Sequence, residues 1–363
     1  MKRFAKKTLA ILSAVAMAAG TFATVPADKI EAATNWENLE TAELETEYDY
    51  SGTGKVTYEL KLKSSGTLRQ ITEMSDGYLF FGICNEDGDR VTALLGEGKN
   101  NYTTDINLIG GKYYIEVYST NGNGDAVGGS KDTAKGSFTW EFESADETFK
   151  EDQGNRNDAK SSAYRVNVGK SFNGQFAEND SVDYYKFEVE KTGLLNLKLT
   201  SKVKSMSVSV VNYEGTFSFE ENDIEKGTKN LTVQVPKGDY YLICTKNEDG
   251  GNYRFETSFA VAPAKTKLTS LKYVKNSNIK VAWDKVDKVA GYEIQLSKDA
   301  DFGSIAAAKK AGPKKVKCTF KGFTVSAFSF TTPVYYCRVR SFKKVDGEKV
   351  YSDWSNVKSV ALE

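Results

Sequence analysis

The chain has 363 residues, with 49 Lys/Arg balanced by 49 Asp/Glu, 20 Tyr, 20 Phe and no histidine. Without imidazole it excludes Ser-His-Asp and Cys-His nucleophilic catalysis and every zinc site built on histidine. The zero net charge hides a polarised molecule: residues 34–147 hold 9 basic against 21 acidic side chains (−12), residues 148–261 hold 15 against 17 (−2), and residues 262–363 hold 20 against 9 (+11). Either this is ordinary drift of surface charge, or it steers the two ends toward different partners or toward each other.

The N-terminus opens Met1-Lys-Arg-Phe-Ala-Lys-Lys7, runs apolar from Leu9 to Ala19, and offers small-x-small sites at Val25-Pro-Ala27 and Glu31-Ala-Ala33. A charged start, a short apolar run and a small-residue site read as a secretory signal peptide over residues 1–33. The apolar run is too short to span a bilayer, so no membrane span is expected. No cysteine lies near it for a lipid anchor. The expectation is a secreted, extracellular protein, released or held non-covalently at the cell surface.

Beyond this segment the pattern is of short alternating runs such as Tyr113-Tyr-Ile-Glu-Val-Tyr118 and Lys280-Val-Ala-Trp283, bounded by Gly, Asn and Asp. Alternation with abundant Tyr and Phe reads as strands. No long amphipathic helix stands out, so the fold class is all-β. Three landmarks recur. Val56-Thr-Tyr-Glu-Leu-Lys-Leu62 with Gly66 matches Asp183-Tyr-Tyr-Lys-Phe-Glu-Val189 with Gly193, and Gly111-Lys-Tyr-Tyr matches Gly238-Asp-Tyr-Tyr. Gly136-Ser-Phe-Thr-Trp-Glu-Phe142 matches Gly251-Asn-Tyr-Arg-Phe-Glu-Thr257. A period near 127 residues predicts a repeat of a whole domain. The chain divides into three tandem antiparallel β-sandwiches: residues 34–147, 148–261 and 262–363.

The second sandwich resembles the bacterial pre-peptidase C-terminal domain, a jelly-roll-like module. The matching residues are Asn157-Asp-Ala159, Gly169, Asp180-x-x-Asp183-Tyr-Tyr-x-Phe187, Leu231 to Leu242 and Gly251-x-Tyr253-x-Phe255. The first sandwich keeps only the sheet landmarks and resembles a diverged copy. In members that bind collagen, the resemblance implies a calcium site, carried here onto Asn155, Asn157, Asp158, Asp180 and Asp183. Calcium takes six to eight oxygens, which carboxylates and Asn carbonyls supply flexibly. Gln153 and Asn155 stand where acidic residues would strengthen such a site. The alternative is that Asp180 and Asp183 form an Asx turn at the start of a strand. The first copy has Gly54-Lys-Val56 at the corresponding turn, so no site is expected there.

Asn85-Glu-Asp-Gly-Asp89 and Asn121-Gly-Asn-Gly-Asp125 lack the terminal Glu of an EF-hand loop and read as hairpin turns. Glu220-Glu-Asn-Asp-Ile-Glu225 reads as a solvated loop. Tyr78, Tyr118, Tyr213 and Phe217 are candidates for exposed aromatics, against core packing.

After Ala262-Pro-Ala264 the residues resemble a fibronectin type III domain. Trp283 sits at the buried second-strand Trp, Tyr335 is a candidate tyrosine corner, and Tyr351-Ser-x-Trp-Ser355 matches the last-strand motif. Alternation turns Cys318 and Cys337 inward, toward facing sheets, where they form either a disulfide or two buried thiols. Cys84 and Cys244 read as small core residues. Lys309-Lys310 and Lys314-Lys-Val-Lys317 make a basic loop for an anionic polymer or the acidic first module, or simply for solubility. Nucleic acid is disfavoured as a partner, because no aromatic-basic stripe is present.

Sandwich folds host many functions. The residues favour a non-catalytic, secreted binding or adhesion protein attached to an extracellular polymer or cell-surface component: polysaccharide, cell wall or matrix protein. The alternatives are a structural spacer or surface-assembly protein and, least favoured, a hydrolase working through carboxylates alone.

Overall fold

In the strand Val182–Val189 every second residue is buried: Asp183, Tyr185, Phe187 and Val189 point inward, while Tyr184, Lys186 and Glu188 point away. That period of two, repeated along the chain, is what builds the molecule. The structure is a computed structural model that describes residues 36, 39–52, 54–120, 133–154, 156–274, 277–324 and 332–362. The signal segment, Asn155 and the loop at 121–125 lie outside the described residues. Strands account for nearly all of the regular structure, with one 3-10 turn at Lys160–Ser162. No helix among the described residues is long and apolar enough to cross a membrane.

The first module contains β1 (Leu39–Thr41), β2 (Glu47–Gly52), β3 (Val56–Leu62), β4 (Gly66–Asp76), β5 (Tyr78–Cys84), β6 (Arg90–Glu97), β7 (Asn101–Leu108), β8 (Gly111–Ser119) and β9 (Ala134–Ser144). Its two sheets run β1-β3-β8-β5-β6 and β2-β9-β4-β7. Between them pack Leu60, Leu68, Phe81, Ile115, Phe138 and Trp140.

The second module contains β10 (Tyr164–Arg165), β11 (Ser171–Phe176), β12 (Val182–Val189), β13 (Gly193–Asn212), β14 (Ser218–Val235), β15 (Gly238–Glu248) and β16 (Gly251–Val261). Its pairings repeat those of the first. The parallel pair β1·β3 becomes β10·β12, β3·β8 becomes β12·β15, and β2·β9·β4 becomes β11·β16·β13. One difference is covalent. The 20-residue β13 runs through both layers, bending at the irregularity between Ser201 and Ser205, so a single sheet folds over itself. In the first module Gly77, at φ +74°, breaks the equivalent strand into β4 and β5. A Cβ there would meet Ala134 Cα and Thr133 O at 2.9 Å, so only glycine fits the break.

The third module contains β17 (Leu268–Val274), β18 (Asn278–Trp283), β19 (Gly291–Ser297), β20 (Ile305–Ala311), β21 (Lys317–Lys321), β22 (Val334–Val345), β23 (Glu348–Tyr351) and β24 (Lys358–Ala361). Its sheets are β17-β18-β21 and β20-β19-β22-β23, with β24 also on β22. Trp283 is buried and packs on Tyr292. The last-strand motif locks onto β22: Ser352 and Ser355 hydroxyls each accept from a β22 N–H, of Ser341 and Val339, at 3.0 Å. Arg340 lies over Tyr351 and Trp354, and Arg338 over Trp354 and Phe302. Within the described residues of this module a hydroxyl-to-backbone bond of the corner type is made by Tyr292, which accepts from Val286 N–H at 2.7 Å, while Tyr335 packs edge-on to Phe323.

Several sequence expectations are corrected by this geometry. Glu220–Glu225 lies within β14, and Lys309–Lys310 within β20, so neither is a loop. Phe217 packs against Tyr240 as part of the core rim, leaving Tyr213 as the exposed ring of that pair. Asn85–Asp89 is the expected hairpin turn, closed by Asn85 N–H to Asp89 carbonyl at 2.9 Å. All four cysteines are free thiols, and burial pushes Cys318 up to about 11.

Candidate metal centre

The centre begins where the chain leaves β9 and crosses to the second module. Phe149 stacks on Tyr164 at 4.8 Å, anchoring this segment to the second core. The next residues lie against the first module. Ser65 Oγ donates to the Glu151 carbonyl at 2.9 Å, Asp152 bridges to Gly110, and Gln153 N–H donates to the Gly110 carbonyl at 3.1 Å. Asn107 completes the joint, with its carbonyl accepting from Glu178 N–H at 2.8 Å and its Oδ1 from Gln175 Nε2 at 3.3 Å.

Held this way, the Glu151 side chain turns inward and meets Asp180 and Asp183. Carboxylate oxygens of the three lie within 4.8 Å of one another, and all three residues are buried. Asp180 precedes β12 and accepts from Val182 N–H at 3.3 Å, which is the expected Asx geometry. Asp183 is the first buried residue of β12. One of its oxygens accepts from Tyr253, whose hydroxyl also pairs with Tyr185 at 2.6 Å. Asn157 is fixed beside them by Tyr184 N–H donating to its carbonyl at 2.8 Å. Asp158 and Asp180 share Arg156, which approaches Asp158 Oδ2 at 2.8 Å without hydrogen-bond alignment and Asp180 Oδ1 at 3.7 Å.

Five oxygens remain buried with no partner: Glu151 Oε1, Asn157 Oδ1, Asp158 Oδ1, Asp180 Oδ2 and Asp183 Oδ1. Buried acceptors without donors are costly, and buried like charges more so. The titration behaviour reflects this. Burial, then Asp180 and Glu147, pushes Glu151 up to about 9. Burial, then Asp158, raises Asp180 to about 6, and Asp183 is driven well above the carboxylate range by burial and by Asp180. Burial also raises Glu147 to about 7.

This donor set suits a hard divalent cation. It is all oxygen, carboxylates and an amide, as calcium, magnesium and manganese prefer. Irregular placement on a linker, a turn and a strand matches the flexible six-to-eight coordination of calcium better than the strict octahedron of magnesium. Of the candidates read from sequence, the structure brings Asp180 and Asp183 together, with Glu151; Asp158 stands outside that group, linked to Asp180 through Arg156, Asn157 is bonded to Tyr184 at the start of β12, and Asn155 lies outside the described residues. Glu151 was missed. Its spacing of two from Gln153, Asn155 and Asn157 is visible in the sequence, but a turn at Gln153–Gly154 interrupts the segment, so that spacing does not place it.

A second surface lies on the outer face of the same module. Tyr213, 45% exposed, stacks on Tyr241 at 4.3 Å, and Tyr184 meets Tyr241 edge-on. Lys160 Nζ lies over the Tyr241 ring.

No protein-family model matches the chain. Among solved structures it is similar to the pre-peptidase C-terminal domain of a collagenase from Bacillus anthracis, at 16% identity and a TM-score of 0.25, covering 26% of this chain and 94% of that one. It is also similar to the FN1–FN3 domains of chicken CNTN1, at 9% identity and a TM-score of 0.24, covering 84% of this chain and 96% of that one. A third likeness is to the glycoside hydrolase domain of Endo-D from Streptococcus pneumoniae, at 11% identity and a TM-score of 0.21, covering 53% of this chain and 33% of that one.

Proposed function

We propose that the chain is a non-catalytic, exported binding protein that attaches to an extracellular polymer through its second module, with calcium fixing that module to the one before it. The observation that carries this reading is the buried meeting of the Glu151, Asp180 and Asp183 carboxylates within 4.8 Å, flanked by further unpartnered buried oxygens on Asn157 and Asp158. Calcium would supply the positive charge and the Lewis-acid partner these oxygens lack.

The residues around the cage do the rest. Arg156 offsets part of the negative charge, Tyr253 holds Asp183 in one rotamer through its donated hydroxyl, and Ser65 fixes the Glu151 backbone from the first module. Because Glu151 belongs to the linker while Asp180 and Asp183 belong to the second sandwich, a cation bound by all three ties the joint. The polymer contact is assigned to the Tyr213–Tyr241–Tyr184 face, since an exposed ring stacked on half-buried ones offers rigid apolar area with polar hydroxyl tips.

The test is retention of the full chain on insoluble polysaccharide, cell-wall and matrix-protein supports, with calcium and with chelator. Retention on one support, lost in a Tyr213→Ala/Tyr241→Ala double variant, is expected. A chain retained on none of them instead favours the spacer or surface-assembly reading, which draws support from the hydrogen-bonded joints on both sides of the second module.

A further inference from the structure

The charge asymmetry of the sequence resolves, in three dimensions, into two sheet faces of opposite sign at opposite ends of the chain. In the first module the inward residues of the β2-β9-β4-β7 sheet include Tyr48, Tyr50, Leu68, Phe138 and Trp140. Alternation therefore turns Glu47, Asp49, Glu73, Asp105, Glu141 and Glu143 to the outer face. The bases on that face are Arg69, paired with Asp105 at 2.8 Å, and Lys135.

In the third module Ile279, Val281, Trp283 and Phe320 face the core. The outer face of β17-β18-β21 then carries Lys272, Lys280, Lys317 and Lys321, all exposed. Lys272 lies opposite Lys280 across one strand pair, and Lys317 and Lys321 flank Thr319, the partner of Lys280 on the other side. The other outward positions are uncharged. The ion pairs of this module among the described residues are Lys285–Asp287 and Arg340–Glu293, so none engages the four lysines. Four ammonium groups crowded on one pleated face repel one another, and a facing anionic surface relieves that repulsion.

The second module joins the other two, hydrogen-bonded to the first through Asn107 and Glu178 and to the third through Gln234 and Tyr351. We propose that the lysine face of the third module docks against the carboxylate face of the first module of a second copy, head to tail. Both surfaces are flat sheets with side chains at the strand spacing, so opposite charges can face one another in rows. The contact joins two different patches, so it is heterologous and propagates an open chain of molecules rather than closing a dimer. Exposed charges carry it, so salt weakens it: the screening length shrinks from about 10 Å at 0.1 M to about 3 Å at 1 M.

Sedimentation velocity of the full chain across a concentration series, at low salt and at roughly 0.5 M salt, tests this. At low salt the weight-average mass should at least double with concentration, and at high salt it should stay that of a single chain. Lys272→Glu/Lys280→Glu/Lys317→Glu/Lys321→Glu should abolish the association, as should Glu47→Lys/Asp49→Lys/Glu73→Lys/Glu143→Lys. Mixing these two variants restores opposite faces and should restore association, which a merely misfolded variant cannot do. A single-chain mass at every concentration in low salt would overturn the proposal. So would association of the lysine variant alone, or failure of the mixture to associate. Retention of a single-chain protein on polyphosphate beads, lost in the lysine variant, would reassign the face to a polyanion and also overturn it.

Discussion

Ser65 Oγ donates to the Glu151 carbonyl at 2.9 Å, so a first-module hydroxyl holds the backbone of a residue whose side chain enters the second module's oxygen cage. This bond makes the cage a property of the joint rather than of one sandwich. Ser65→Ala removes the donor and leaves every cage side chain in place. Calcium affinity should weaken by roughly tenfold, the lower end of what loss of an outer hydrogen-bond partner costs a metal site. Calorimetric titration of the full chain with calcium measures it.

Tyr253→Phe addresses the other side of the cage. Its hydroxyl donates to Asp183 and pairs with Tyr185, and all three groups are buried. Deleting the oxygen leaves Asp183 free to rotate and both remaining polar groups short of a partner. Affinity should again fall about tenfold, with the metal-free chain destabilised by about 1–3 kcal/mol. Thermal unfolding with chelator present separates the two effects.

Packing behind this network is tight. A Cβ at Gly174 would lie 2.5 Å from the Tyr185 and Tyr253 hydroxyls. Gly174→Ala should therefore cost about 1–3 kcal/mol as overpacking and weaken calcium binding by displacing Tyr253. Denaturant unfolding and calcium titration of the same variant check both.

Acidity should act in opposite directions with and without the cation. Glu151 titrates near 9 and Asp180 near 6 in the folded chain, both raised first by burial. Raised carboxyl values mean the metal-free native state binds more protons than the unfolded chain. The stability these groups contribute is fully present below about pH 4, the ordinary carboxyl range, and is lost as pH climbs through 6 toward 9. With calcium bound the same groups are held ionised, so stability should instead fall on acidification as protons displace the cation. Unfolding midpoints across that pH range, in calcium and in chelator, should have opposite slopes.

At the other joint, Gln234 grips the Tyr351 backbone twice, donating to its carbonyl at 2.6 Å and accepting from its N–H at 2.9 Å. Thr192 adds a bond to Asp353 at 2.8 Å. Gln234→Ala should loosen the third module without unfolding it, seen as a larger radius of gyration in solution scattering and an unchanged unfolding midpoint for the third module.

How much of this could be read from residues alone follows from physics. The strand Val182–Val189 and its echo Val56–Leu62 were legible because alternation is a local consequence of the pleat. Asp180 and Asp183 were legible because they sit at fixed offsets from that strand. Glu151 was not, since its role depends on Ser65 and Gly110, which lie far away in sequence and hold the linker in place. The run Glu220–Glu225 looked like a loop because its strand is mostly exposed, and an exposed strand carries polar residues on both sides. Likewise Lys309 and Lys310 sit on the edge strand β20, where lysine discourages pairing with other chains, a role that charge alone cannot distinguish from a loop.

The central claim is that calcium satisfies the oxygens of Glu151, Asn157, Asp158, Asp180 and Asp183. Its most direct measurement is calcium titration of the chelator-treated full chain, followed by unfolding midpoint, beside the Glu151→Gln variant. Calcium at 100 times its dissociation constant should stabilise the wild-type chain by about 2.7 kcal/mol. Glu151→Gln should lose that response and yet be more stable than wild type in chelator at neutral pH, because the buried amide, unlike a carboxyl held near 9, need not take up a proton on folding. A wild-type midpoint that does not move at millimolar calcium, or a Glu151→Gln chain that responds as wild type does, would contradict the account.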